Sequence, residues 1–218
     1  MPTEASQQAL IGLRDLSTIQ WYVIPLFSIV LYIYTIEIKQ AKRSGNFDAI
    51  VAGLTVFGMD FVNETWNGWV FHLTGHSAIW TAPGPTALRT MVGWNIEIMF
   101  MFLLAGIAWY HTLEEDKKKK IFGLPNPLFW AIGYSAFSVF IEWFLNKGGL
   151  LIWEYPFWER SFGGIILIFL FGYLTFYLGA WFIITRKTMN AKLITLIVIY
   201  SVPVIMNIIG MGILGWVY

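Results

Sequence analysis

Apolar residues run along this chain in long blocks. Six of these blocks, at about 19–38, 48–72, 90–112, 126–146, 161–185 and 193–217, reach or approach the ~20 residues that carry a helix across a bilayer. Polar or ring-breaking residues separate them. Lys39, Lys42 and Arg43 end the first, and Pro83, Gly84 and Pro85 mark a loop after the second. Glu114, Glu115, Asp116 and Lys117 to Lys120 close the third, and Pro125 and Pro127 open the fourth. A Trp-rich loop from Gly148 to Arg160 follows, and Arg186 and Lys187 close the fifth. Pro203 falls inside the sixth, where it predicts a kink. Upstream, Ala9, Leu10, Leu13 and Leu16 within residues 5–18 suit a short interfacial helix. The pattern therefore predicts an all-α, polytopic transmembrane helical bundle of about six spans. It forms a single transmembrane domain over 1–218, with a short N-terminal interfacial helix and no internal repeat.

Composition agrees with this reading. The chain is 57% hydrophobic and only 12% charged, against about 25% charged in soluble domains. A net charge of +1 gives no reason to expect a nucleic-acid partner. With no cysteine, disulfides and thiol chemistry are excluded. Residues 1–20 lack the short apolar core and small-residue site of a cleaved signal peptide, so none is expected. Ten of the fourteen basic residues sit in alternate loops: Lys39, Lys42 and Arg43, then Lys117 to Lys120, then Arg186, Lys187 and Lys192. The positive-inside rule puts those loops in the cytoplasm, and six spans then leave both termini outside.

This topology gives depth to the polar residues. With ~1.5 Å of rise per residue, Asp60 falls near or just beyond mid-membrane. Glu64, Asn95, Glu97, Glu142, Asn146 and Asn207 fall in the outer half. Asp60, Glu64 and Asn67 share one helical face at i, i+4 and i+7, with Asn63 at its border and Trp66 roughly opposite. A carboxylate facing lipid is costly, so this face should look into the bundle. Carboxylates close together in a low dielectric cannot all stay ionised, and one kept protonated is a competent general acid. The catalytic candidates are Glu64, Asp60, Glu97 and Glu142. The bland alternative is interhelical hydrogen bonding, or pairing of Glu97 and Glu142 with Asn95 or Lys147. The substrate-binding candidates are Asn63, Asn67, Trp66, Trp69, His72, Trp94, Trp143 and Asn207, the last also readable as a helix–helix hydrogen bond. Trp66, Trp69, Trp94 and Trp143 could form an aromatic pocket attractive to cations. Trp80, Trp153, Trp158 and Trp216 read as an interfacial belt. His72 and His76, at i and i+4 on a helical extension, have the spacing of two metal ligands but no complete ligand motif, so no metal and no cofactor are assigned.

Acids among aromatic side chains suit one chemistry well. An acid protonates an alkene or epoxide of an apolar substrate, ring faces stabilise the cation, and a second carboxylate or a histidine removes a proton. The stretch Asp60 to His76, then Glu97, then Ile141-Glu142-Trp143 and the run Trp153 to Trp158, resembles in its layout two groups of small integral-membrane enzymes. These are the emopamil-binding-protein-like sterol isomerases and the integral-membrane terpene cyclases. The resemblance implies Glu64 as proton donor, with Asp60, Glu97 or Glu142 as partner. It also implies protonation-initiated isomerisation or cyclisation of a membrane lipid or isoprenoid substrate. Three other functions fit the same residues: a metal-dependent lipid enzyme using Glu64, His72, His76, Glu97 and Glu142, an ion- or proton-coupled carrier, and a lipid-binding protein. Phosphate loops, nucleophile elbows and dinucleotide fingerprints are absent from the sequence.

Overall fold

The computed structural model describes residues 1–114, 116 and 119–218. Glu115, Lys117 and Lys118, part of the charged run expected to close the third span, lie outside the described residues. Helices α1 (Glu4–Leu10), α2 (Val23–Ser44), α3 (Asp48–Thr74), α4 (Ile96–Thr112) and α5 (Asn126–Lys147) come first along the chain. Then come α6 (Phe162–Ile184) and α7 (Met189–Ile213). The helices α2, α5, α6 and α7 are long and apolar enough to cross a membrane. Helix α3, with 27 residues, is longer than any of these. It carries Asp48, Asp60 and Glu64 because it is the central helix, packed by α4, α6 and α7, so little of it needs to face lipid. On α4, Gly106 lets the two backbones close up, since a Cβ there would stand 2.4 Å from the Ala52 carbonyl oxygen. Val51, Val56, Phe102, Phe176 and Ile183 fill the core where these helices meet. By contrast, α2 and α7 leave Ile24, Tyr32, Ile194 and Ile197 on the outside, as helices facing acyl chains do.

Helix α4 is shorter than the apolar run that encodes it. Residues expected to begin the third span form a hairpin instead: β2 (Arg89–Met91) pairs antiparallel with β3 (Trp94–Asn95). Asn95 then caps α4 by accepting the Ile98 amide. The two loops at this end are also structured, since β1 (Trp80–Thr81) pairs antiparallel with β6 (Ile152–Trp153) in the register Trp80 to Trp153. At the opposite end β4 (Lys120–Ile121) pairs with β5 (Leu124–Pro125). Arg89 is buried, and its guanidinium donates to the carbonyls of Ala82, Ile11 and Gly84, tying the N-terminal segment to the loop after α3. One end of the bundle is thus closed by a cap of folded loops, and the other carries the basic residues Lys39, Lys42, Arg43, Arg186 and Lys187. Within α6 the backbone widens into a π-helical segment, Ile168–Leu174, and α7 ends in a second, Ile208–Ile213, just beyond Pro203. Such segments re-aim side chains and recur at functional sites.

Candidate functional site: a cavity ending in three carboxyls

Asp60 and Glu64 stand one turn apart on α3 and point into the bundle, as their spacing predicts, and both are 4% exposed. Glu142 of α5, 6% exposed, joins them. The three carboxyls interact electrostatically with one another. Each accepts a hydrogen bond from one indole N–H, and all three indoles come from the cap. Trp94 donates to Asp60 Oδ2 at 2.6 Å, Trp80 to Glu64 Oε1 at 2.8 Å, and Trp153 to Glu142 Oε1 at 2.6 Å. An indole can only donate, so these pairs hold the acids by their acceptor oxygens. The π segment of α6 brings Tyr173 to the cavity wall, with its hydroxyl close to Glu142. Asn67 lies within hydrogen-bonding reach of the Glu64 carboxyl, whose second oxygen, Oε2, is buried. Gly93 approaches it so closely that a Cβ there would lie 2.6 Å away.

The Glu64 side chain lines a cavity of about 380 Å³, within the usual size of small-molecule sites. The acids lie toward its capped end, where Trp80 stacks on Trp158 with ring centroids 5.5 Å apart. From there the cavity runs past Phe102, Ala105, Ile141 and Phe176 to Ala108, Tyr134 and Tyr177, walled almost entirely by apolar atoms. Ile98 to Ala108 along α4 corresponds to ~15 Å of rise. Three buried acids without a basic partner among the described residues keep charge balance through protons or a bound cation. Among the described residues no group of three His, Cys, Asp or Glu has the geometry to hold a metal ion.

The other expected site residues divide in two. Asn63 lines the cavity, and its amide donates to the Phe171 carbonyl at 3.2 Å. Asn67 is fully buried beside Glu64 but serves the cap, binding the backbone of Ile79 and Trp80. Trp94 reaches Asp60 from behind Phe61, on whose ring it stacks at 5.2 Å. Glu97 stands apart from the three acids. It sits in the first turn of α4, where it accepts from the Tyr22 hydroxyl at 2.6 Å, the Thr86 hydroxyl at 2.5 Å and the Ala87 amide at 2.8 Å. Those bonds pin the start of α2 and the loop to α4. Asn207 joins α7 to α3 by donating to Thr65, and accepts from Tyr218. Trp66 is 49% exposed on the outer face of α3, as expected for a residue opposite the acids, and is no part of a pocket wall. Trp69 packs on Trp216, and Trp143 lies under the Lys147 ammonium, both away from the cavity. His72 stacks on Trp216 and bonds to the Val217 carbonyl, holding the C-terminal segment. His76 lies beyond the helix, because α3 ends at Thr74 and Gly75 takes a left-handed conformation, so the i, i+4 ligand pair does not form.

Four residues that the sequence reading left out of the site belong to it: Trp80, Trp153, Gly93 and Tyr173. The two tryptophans read as belt residues, and nothing local in the sequence separates an indole that anchors to lipid from one that folds back onto a carboxyl. Tyr173 follows Gly172 in the middle of a span, which is a faint signal that the surrounding π turn would have made legible.

Fold and cavity together define a multi-pass, all-α membrane protein with a buried acidic site. The chain belongs to a family described as an uncharacterized membrane protein family, whose model matches residues 3–212. An uncharacterized protein of Archaeoglobus fulgidus is 42% identical to it over 217 residues, covering 100% of both chains. No solved structure matches the chain.

Proposed function

We propose that this protein is a membrane-embedded isomerase that moves a double bond, or closes a ring, in an apolar isoprenoid or similarly unsaturated lipid. The observation that carries this reading is the buried Glu64 carboxyl in the lining of an apolar cavity, with two further carboxyls within electrostatic reach. Glu64 acts as the acid. Its O–H bond breaks, the proton bonds to one alkene carbon using the π electrons, and positive charge is left on the neighbouring carbon. Asp60 or Glu142, as carboxylate, then takes a proton from an adjacent carbon, and that C–H electron pair becomes the new double bond. One proton enters and one leaves, so the product is an isomer and no co-reactant is consumed. For ring closure, a second double bond attacks the cation before the proton is lost. Trp80, Trp158, Tyr173 and Phe176 line the cavity with aromatic rings that stabilise the cation, and the apolar wall keeps out the water that would quench it. The layout resemblance to membrane sterol isomerases and terpene cyclases points the same way.

The test is isotopic. The purified protein, with its co-purifying lipid or with farnesol or squalene added, is incubated in D₂O and the lipid is analysed by mass spectrometry. Wild type is expected to place deuterium on carbon and the Glu64→Gln protein to place none. Wild type that binds lipid without any exchange, or equal exchange in both proteins, would end the isomerase reading.

A further inference from the structure

The cavity is closed at the cap and narrowed at the far end, but open along one side. At the cap, Trp80, Trp158 and Leu151 cover the acids, and each is less than 10% exposed. At the far end Tyr134 and Tyr177 meet with ring centroids 5.5 Å apart. Between these limits α4 packs chiefly on α3, and α5 on α6, and α4 and α5 touch each other little. Met101 of α4 is 44% exposed and Phe137 of α5 is 61% exposed, yet both also line the cavity. A side chain that faces the cavity and the outside at once marks a slit, here facing the hydrocarbon of the bilayer.

The polar lining restricts what can pass. It consists of the three carboxyls with Asn63, Ser138 and tyrosine hydroxyls, and among the described residues it includes no Lys, Arg or His. A phosphate or carboxylate brought here would lose its water and gain neither a counter-charge nor a fan of N–H donors, a combination that buried anions require. A neutral hydrocarbon end meets apolar walls at ordinary contact distances and pays no such penalty.

We propose that the cavity takes the uncharged end of a membrane-resident hydrocarbon chain, inserted sideways between α4 and α5 while the rest of the chain stays in the lipid. The substrate class is then a neutral terminus such as the last isoprene units of a long chain, and any charged headgroup stays outside. Phe137 and Met101 are the gate residues of this slit. The inference rests on the cavity being the site proposed above, but its test requires no turnover.

The test uses one chain with three ends: tritiated farnesol, farnesyl diphosphate and farnesylamine, presented in phosphatidylcholine vesicles to reconstituted protein. Binding and association rate are read by scintillation proximity. Farnesol, farnesyl diphosphate and farnesylamine are expected to bind with comparable affinity, because the isoprene end they share enters among apolar walls and the end that differs stays outside. Phe137→Trp, which fills the slit, should slow farnesol association, and Phe137→Ala, which widens it, should speed it. Because Phe137 is on the outside, both variants are expected to keep the wild-type melting temperature. Affinity that changes sharply with the end group, as when farnesylamine binds far more tightly than farnesol or farnesyl diphosphate fails to bind, or both Phe137 variants matching the wild-type rate, would overturn the proposal. Gated farnesol binding without deuterium exchange would sink the isomerase alone. Glu64-dependent exchange with ungated binding would sink only the slit.

Discussion

Removal of the Asn67 side chain should unlatch the cap over the acids. Asn67 is fully buried on α3, and its amide replaces a missing stretch of backbone pairing. Its Oδ1 accepts the Ile79 amide at 2.7 Å and the Trp80 amide at 3.1 Å, and its Nδ2 donates to the Trp80 carbonyl at 2.7 Å. Asn67→Ala leaves two N–H groups and one C=O without partners in a segment where Ile79 and Trp80 are each 9% exposed. An orphaned buried group costs ~1–3 kcal/mol. With some relief from water drawn into the new space, the sum is about 4 kcal/mol, about a quarter or more of the stability of a typical domain. The loss should be local before it is global, because the bonds belong to the cap. Equilibrium unfolding in mixed dodecylmaltoside and SDS micelles measures the first, and amide hydrogen exchange the second. Exchange at Ile79 and Trp80 should accelerate by roughly a thousandfold, since each 1.4 kcal/mol is a factor of ten. Asn63→Ala, which removes one long bond to Phe171, should cost no more than about 1 kcal/mol. A loss below about 1 kcal/mol for Asn67→Ala, with unchanged protection at Ile79 and Trp80, would refute the latch.

Glu64→Gln should leave stability unchanged or raise it while abolishing deuterium exchange, because a carboxyl that pays for burial is replaced by a neutral amide; a lower midpoint in the same unfolding assay would show Glu64 to be structural. Glu97→Gln should do the reverse. It loses about 1–3 kcal/mol by weakening three bonds at the start of α4 but leaves farnesol binding intact, as a thermal melt and the binding assay can check. Gly93→Ala drives a methyl to 2.6 Å from Glu64 Oε2 and 2.7 Å from Trp80 Cδ1, so farnesol binding and exchange should both fall sharply. Near-normal binding in that variant would mean that the acids are not seated against Gly93.

The parts of this arrangement that were legible in the sequence are those that a bilayer makes expensive. Long apolar runs predict the helices: each of the six expected spans matches a helix in position, α2 through α7, and four of these, α2, α5, α6 and α7, are long and apolar enough to cross a membrane. Carboxyls inside such runs must turn inward, which is why Asp60, Glu64 and Glu142 could be assigned to one site. Glu97 satisfied the same argument only because the start of its helix was misplaced. The hairpin Arg89 to Asn95 takes up the first residues of that run, so Glu97 lies in the first turn of α4 among hydroxyl and amide donors. The cap was not legible, because its strands are two or three residues long and the pairing that joins its two loops brings together residues more than 70 positions apart, Trp80 with Trp153. Single-residue patterns carry no record of such contacts. The indole partners of the acids were invisible for the same reason, and the π turn that aims Tyr173 depends on packing that a hydropathy pattern does not encode.

The most direct measurement is the lipid held by the protein as it leaves its own membrane. The wild-type chain and an Ala105→Trp variant, whose new side chain fills the cavity wall, would each be purified and analysed by native mass spectrometry and lipid extraction. The account predicts one unsaturated lipid per wild-type chain and its loss from the variant, with folding intact by thermal melt. A fully saturated lipid as the specific ligand, or equal lipid retention in both proteins, would contradict it.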